Sequence, residues 1–171
     1  MAKADVEAVR LLERFGITEP EVDPTDLAHK LGVVVVQQKL DGDVSGMLLR
    51  RGEEKVIGVN EDHVKARQRF TVAHELGHLI LHRGRPLILD TGTRVNFRDS
   101  VSSMATDREE VEANRFAAAL LAPETMVRRA VRDISFTSAD GLVGDLAKRF
   151  GMSATAMNYR LLNLGIISDP M

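Results

Sequence analysis

The pentapeptide His74-Glu75-Leu76-Gly77-His78 constrains the fold more tightly than any other stretch of this chain. Its two imidazoles can grip one metal ion on a helix, where each residue advances by about 100° and positions four apart share a face. Glu75 then lies about 100° around the axis, beside such an ion rather than on it, where a carboxylate can serve as a base. Gly77 weakens that helix by about 1 kcal/mol relative to alanine, so close approach of another backbone or of a substrate is expected there.

Composition narrows the other ligands. The 171 residues contain no cysteine, which rules out disulfides and leaves histidine and carboxylate to hold any metal. With 44% apolar residues, the length fits one domain with at most a small appended module. No apolar run approaches the roughly 18 residues of a membrane span. The opening Met1-Ala2-Lys3-Ala4-Asp5-Val6-Glu7 lacks the order of a signal peptide, so a soluble, cytoplasmic protein is expected. A formal charge of -2 and a pI near 6.2 provide no general attraction to nucleic acid or anionic lipid.

Along the chain, Val6, Val9, Leu12 and Phe15 recur at three-residue steps and predict an amphipathic helix over 3–15, closed by Gly16. A short helix from Pro24 or Thr25 to Gly32 follows. Residues 33–36, 47–50 and 55–59 read as strands, the last two joined around Arg51-Gly52-Glu53, which predicts a small antiparallel sheet. Asn60 is positioned to cap the metal-site helix, which should end near His82 or Arg83. The pattern over 84–107 is irregular, with one strand-like run at 94–98. Asp107, with Glu110 three positions on, has capping-box spacing and opens a helix to Leu121; another starts at Pro123-Glu124.

Hydrolytic zinc sites use three protein ligands and keep one position open, and the pentapeptide supplies only two. Glu109, Glu110 and Glu112 are the candidates for the third. Glu110 is favoured because it shares a face with Asn114, Ala117 and Leu121, an increasingly apolar stripe suited to packing on the first helix. Asn114, one turn on, could hydrogen-bond the ring nitrogen of His74 or His78 that the metal does not use. His82 continues the four-residue series, but a drift of about 40° per turn carries it toward a helix-end or supporting role.

Two blocks together resemble the ImmA/IrrE-type zinc metallopeptidases. Arg67-Gln68-Arg69-Phe70-Thr71-Val72-Ala73-His74-Glu75-Leu76-Gly77-His78-Leu79-Ile80-Leu81-His82 is similar to that family's active-site helix. Glu110-Val111-Glu112-Ala113-Asn114-Arg115-Phe116-Ala117-Ala118-Ala119-Leu120-Leu121-Ala122-Pro123 is similar to its third-ligand helix, although Ala122 stands where many members have methionine. A looser likeness runs from about residue 5 to 132 and includes Val95-Asn96-Phe97-Arg98-Asp99. The resemblance implies Zn2+ at His74, His78 and Glu110, with Glu75 catalytic in metal-assisted hydrolysis of a peptide bond. It further implies an endopeptidase that cleaves a helix-turn-helix repressor or antitoxin, relieving repression under stress or mobile-element induction. The alternative is a non-catalytic, zinc-containing regulatory or toxin-antitoxin protein, for which a carboxylate at position 75 would have no use. Arg98, His82 and Tyr159 are the candidates for an oxyanion donor.

Residues 146–161 resemble a helix-turn-helix, with glycine at the turn and Ser153 capping the second helix. DNA recognition would expose Thr155, Asn158, Tyr159 and Arg160. Yet Lys148, Arg149 and Arg160 are balanced by Asp140, Asp145 and Asp169, so packing or protein docking is expected in preference to DNA binding. The expected architecture is α+β: a metallopeptidase domain over 1–135 and a helix-turn-helix-like module over 136–171.

Overall fold

The computed structural model describes residues 1–84, 86–91 and 106–168. The first helix, α1 (Lys3–Arg14), buries Ala4, Ala8, Leu11 and Leu12 along one stripe. The second, α2 (Pro24–Lys30), starts where the Asp23 carboxylate accepts the Thr25 and Asp26 N–H groups at 2.9 and 3.2 Å, with proline at the first helical position.

Strands β1 (Val34–Gln38), β2 (Val44–Arg51), β3 (Glu54–Asn60) and β4 (Leu87–Thr91) form one sheet in the order β1-β3-β2-β4. β2 and β3 make the expected hairpin with Arg51 opposite Glu54, and Gly52 supplies the positive φ of 59° that a two-residue turn requires. The sheet as a whole is mixed, which corrects the antiparallel expectation: β1 pairs with β3 in parallel, Val35 opposite Ile57. Composition explains the placement. Ile57, Gly58, Val59 and Asn60 are buried and suit a central strand, whereas Val34, Gln37 and Gln38 are exposed and suit an edge. The residues 39–43 that join β1 to β2 can span the roughly 10 Å of two strand spacings, so β3 fits between them.

β4 was not expected, since residues 87–91 fall within the stretch whose pattern read as irregular. It pairs antiparallel with β2, and Ile88 enters the core. The strand-like run at 94–98, with Val95, Phe97 and Arg98, lies outside the described residues.

Helix α3 (Lys65–Leu81) carries the pentapeptide. It begins after Val64, so Asn60 does not cap it; Asn60 closes β3 instead, accepting the Asp62 N–H at 3.1 Å and donating to the Val44 carbonyl at 3.0 Å. Residues 71–78 are all buried because α3 lies between the sheet and α4 (Asp107–Leu121). At the crossing, a β-carbon on Gly77 would stand 3.1 Å from Ala113 Cα and 3.2 Å from Phe116 Cβ, the close backbone approach that the glycine foreshadowed. α4 starts one residue earlier than expected. Thr106 is the cap, and Glu109 closes the box by accepting the Thr106 N–H at 2.7 Å, which leaves Glu110 uncommitted to capping.

Beyond α5 (Glu124–Asp133), α6 (Ala139–Phe150) and α7 (Ala154–Asn163) are joined by a turn in which Gly151 has a φ of 63° and Ser153 caps α7. Leu146, Phe150, Met157 and Leu161 share one core cluster with Leu76 and Phe116. Arg69 ties α3 to this turn, donating to the Gly151 carbonyl at 3.1 Å and pairing with Glu21 at 3.0 Å. Of the positions that DNA recognition would expose, Thr155 and Tyr159 are exposed, but Arg160 is buried and donates to the Ala122 carbonyl at 2.9 Å. Among the described residues, no helix is long and apolar enough to cross a membrane.

Candidate metal centre

His74, Glu75 and His78 are at most 2% exposed, at the centre of the α3 run packed between sheet and helix. Burying such groups is unfavourable unless partners are supplied, so their surroundings carry the chemistry of the site. The two imidazoles turn toward each other with Nε2 atoms 3.0 Å apart. From α4, Glu110 completes a triangle, Oε2 lying 3.2 Å from His74 Nε2 and Oε1 3.3 Å from His78 Nε2.

Those edges can be tested against an ion. Tetrahedral coordination with bonds of about 2.05 Å separates neighbouring donors by about 3.3 Å, close to all three distances. The donor set, two imidazoles and a carboxylate, also suits a divalent metal, and the three residues form a group that could hold one. Their protonation states point the same way. Burial lowers the His78 pKa and favours the neutral ring that can ligate. Burial alone would raise Glu110, but hydrogen bonds from His74 and His78, with their charges, outweigh it and hold the carboxyl at about 2. It is therefore ionised at neutral pH.

Each ring is held from behind. Asn114 Oδ1 lies 2.9 Å from His74 Nδ1, so of the two histidines it supports His74. His78 Nδ1 faces His82 Nδ1 at 3.0 Å, and His82 Nε2 faces Glu112 at 3.0 Å. Glu109, the remaining candidate, is engaged in the α4 cap.

Glu75 is fully buried beneath β2, where a β-carbon on Gly46 would stand 3.4 Å from its Oε1 and 2.3 Å from Thr71 Cγ2. Glycine is thus what allows the strand to pass this close. Arg50, two pleats along the same strand face, donates to the carbonyl oxygens of His78 at 2.9 Å and His82 at 2.5 Å, tying down the end of α3. Neither Gly46 nor Arg50 was singled out from sequence. The available signal was their phase: both are two residues from Leu48, the fully buried residue of the strand. Of the oxyanion candidates, His82 is occupied as described, Tyr159 is exposed on α7, and Arg98 lies outside the described residues.

A family description, the IrrE N-terminal-like domain of the Peptidase_M78 family, matches residues 28–162, which span both helices of the site. The chain belongs to the ImmA/IrrE metallopeptidase family. Metallopeptidase ImmA of Bacillus subtilis strain 168 is 28% identical over 130 residues, covering 75% of this chain and 69% of ImmA. "Uncharacterized immunity region protein 2" of Bacillus phage phi105 is 29% identical over 142 residues, covering 82% and 79%. Radiation response metalloprotease IrrE of Deinococcus radiodurans is 33% identical over 110 residues, covering 64% of this chain and 31% of IrrE. The ImmA/IrrE fold also recurs in a solved "Mycobacterium tuberculosis transcriptional regulator", with a TM-score of 0.65 and 20% identity over 95% of this chain. This chain covers 47% of that protein, and the likeness bears on fold alone.

Proposed function

We propose that this chain is a zinc-dependent endopeptidase whose substrate is a helix-turn-helix repressor or antitoxin. The observation that carries the catalytic part is the triangle of His74 Nε2, His78 Nε2 and the Glu110 carboxylate, sized for one ion, with buried Glu75 on the same helix. In this reading His74, His78 and Glu110 hold the zinc and Asn114 orients His74. A zinc ion held there would supply a lowered pKa for water, toward about 7, and polarisation of a carbonyl. Glu75 is the proton carrier, its carboxylate taking a proton from the attacking water and delivering it to the departing amine. Burial beneath Gly46 keeps that carboxylate away from bulk water.

The protein substrate is inferred from family likeness. A cavity of about 1060 Å³ is lined by Asn114 and by exposed Val64, Val111 and Tyr159, though not by His74, Glu75, His78 or Glu110, and offers a surface suited to a polypeptide segment. The module over 136–171 is assigned packing or protein docking, because Arg160 is buried against Ala122. The test is incubation of the zinc-loaded protein with the repressor or antitoxin encoded alongside it. A single cut, abolished by chelation and by Glu75→Gln, is expected; equal cutting by Glu75→Gln would remove Glu75 from the chemistry. An intact biological effect in Glu75→Gln, lost in His78→Ala, would favour the non-catalytic alternative.

A further inference from the structure

His82 caps the C-terminal end of α3, its side chain nearly buried, one turn beyond His78. Its Nε2 lies 3.0 Å from Glu112 Oε2, and its Nδ1 lies 3.0 Å from His78 Nδ1. The other Glu112 oxygen accepts from Arg108 Nε at 2.9 Å, which favours the ionised carboxylate. An ionised carboxylate can only accept, so the proton between Glu112 and His82 belongs to His82 Nε2. A neutral His82 then offers a lone pair at Nδ1, and the proton in the second gap belongs to His78 Nδ1. That places the His78 lone pair on Nε2, the atom facing His74 and Glu110. The chain of bonds crosses from α4 to α3, and Arg50 holds the carbonyls of both histidines.

We propose that Glu112 and His82 are positioning residues for the metal centre, selecting the Nδ1–H tautomer of His78 so that Nε2 is presented to the ion. Their part matches what Asn114 does for His74 with one residue. The inference rests on reading His74, His78 and Glu110 as the ligands.

The test uses the full chain with 15N-labelled histidine, loaded with zinc, and reads each ring's tautomer from long-range 1H–15N correlations. His82 protonated on Nε2 alone and His78 on Nδ1 alone is the expected result. A proton on His82 Nδ1 would overturn the proposal, and this readout needs no variant to fold. Chelator competition supplies the second measurement. Glu112→Ala and His82→Phe are each expected to weaken zinc binding about 10- to 100-fold, and Glu112→Gln, which still offers His82 an acceptor, to recover most of the loss. Unchanged affinity in both Glu112→Ala and His82→Phe would overturn the proposal. Wild-type zinc affinity in His78→Ala would instead overturn the ligand reading beneath it, so the two failures are distinguishable.

Discussion

Replacing Gly77 by alanine tests how tightly the α3–α4 crossing sets the geometry of the site. The new methyl would meet Ala113 Cα at 3.1 Å, the Ala113 carbonyl oxygen at 3.2 Å and Phe116 Cβ at 3.2 Å. Carbon atoms rest comfortably at about 3.6 Å, so the helices must part by about 0.4–0.5 Å. Overpacking of this kind is unfavourable by about 1–3 kcal/mol, while alanine restores about 1 kcal/mol of helix propensity. The net loss is about 0–2 kcal/mol, or a melting temperature lower by up to about 8 °C for a chain of this size. The effect on metal should be larger. Glu110 lies one turn from Ala113 on the displaced helix, and ligand distances tolerate only about 0.2 Å. Zinc affinity, measured by chelator competition, should fall about tenfold or more while the zinc-free melting temperature drops by no more than about 8 °C. A variant that melts higher and binds zinc as tightly as the parent would refute the packing argument.

Other outcomes follow from single contacts. Asn114→Ala removes the acceptor 2.9 Å from His74 Nδ1 and should weaken zinc binding about 10- to 100-fold in the same assay; an unchanged constant would remove Asn114 from the site. Arg160→Met strands the Ala122 carbonyl and a partner of Asp5, and should lower stability by about 1.5–3 kcal/mol in urea unfolding, whereas a change below about 0.5 kcal/mol would argue against a packing role. Acid should destabilise the zinc-free protein. His78, lowered by burial from 6.5, binds its proton less readily in the folded than in the unfolded chain, so stability falls as pH drops below about 6.5. Glu110, at about 2 against an ordinary 4.5, extends the loss as pH falls from 4.5 toward 2. Thermal melts should show His78→Gln flattening the first part of this slope, and an equally steep variant would contradict the assignment.

Helical spacing alone put His74 and His78 on one face, and the apolar stripe through Asn114, Ala117 and Leu121 put Glu110 on the face that meets them. Those features are local periodicities, which one strand of sequence carries in full. The sheet order is not local. Nothing within 33–60 says that β3 returns between β1 and β2, because that choice is made by which strand can afford two buried faces. β4 is not legible in the sequence because Leu87, Ile88 and Leu89 are too short a run to show alternation. The Asp107–Glu110 spacing imitated a capping box while Thr106–Glu109 forms one, a one-residue ambiguity that sequence cannot resolve when both pairs fit the pattern. Arg50 and the link from Glu112 through His82 join elements far apart in the chain, and only the packed fold reveals them.

The central proposal is one metal ion held by His74, His78 and Glu110, with Glu75 as a base beside them and not among them. Equilibrium dialysis against zinc, followed by metal analysis, addresses this directly when applied to the parent, His74→Ala, His78→Ala, Glu110→Ala and Glu75→Gln. One equivalent in the parent and in Glu75→Gln, with large losses in the other three, is the expected result. A full equivalent retained by any of the three ligand variants, or its loss in Glu75→Gln alone, would contradict it.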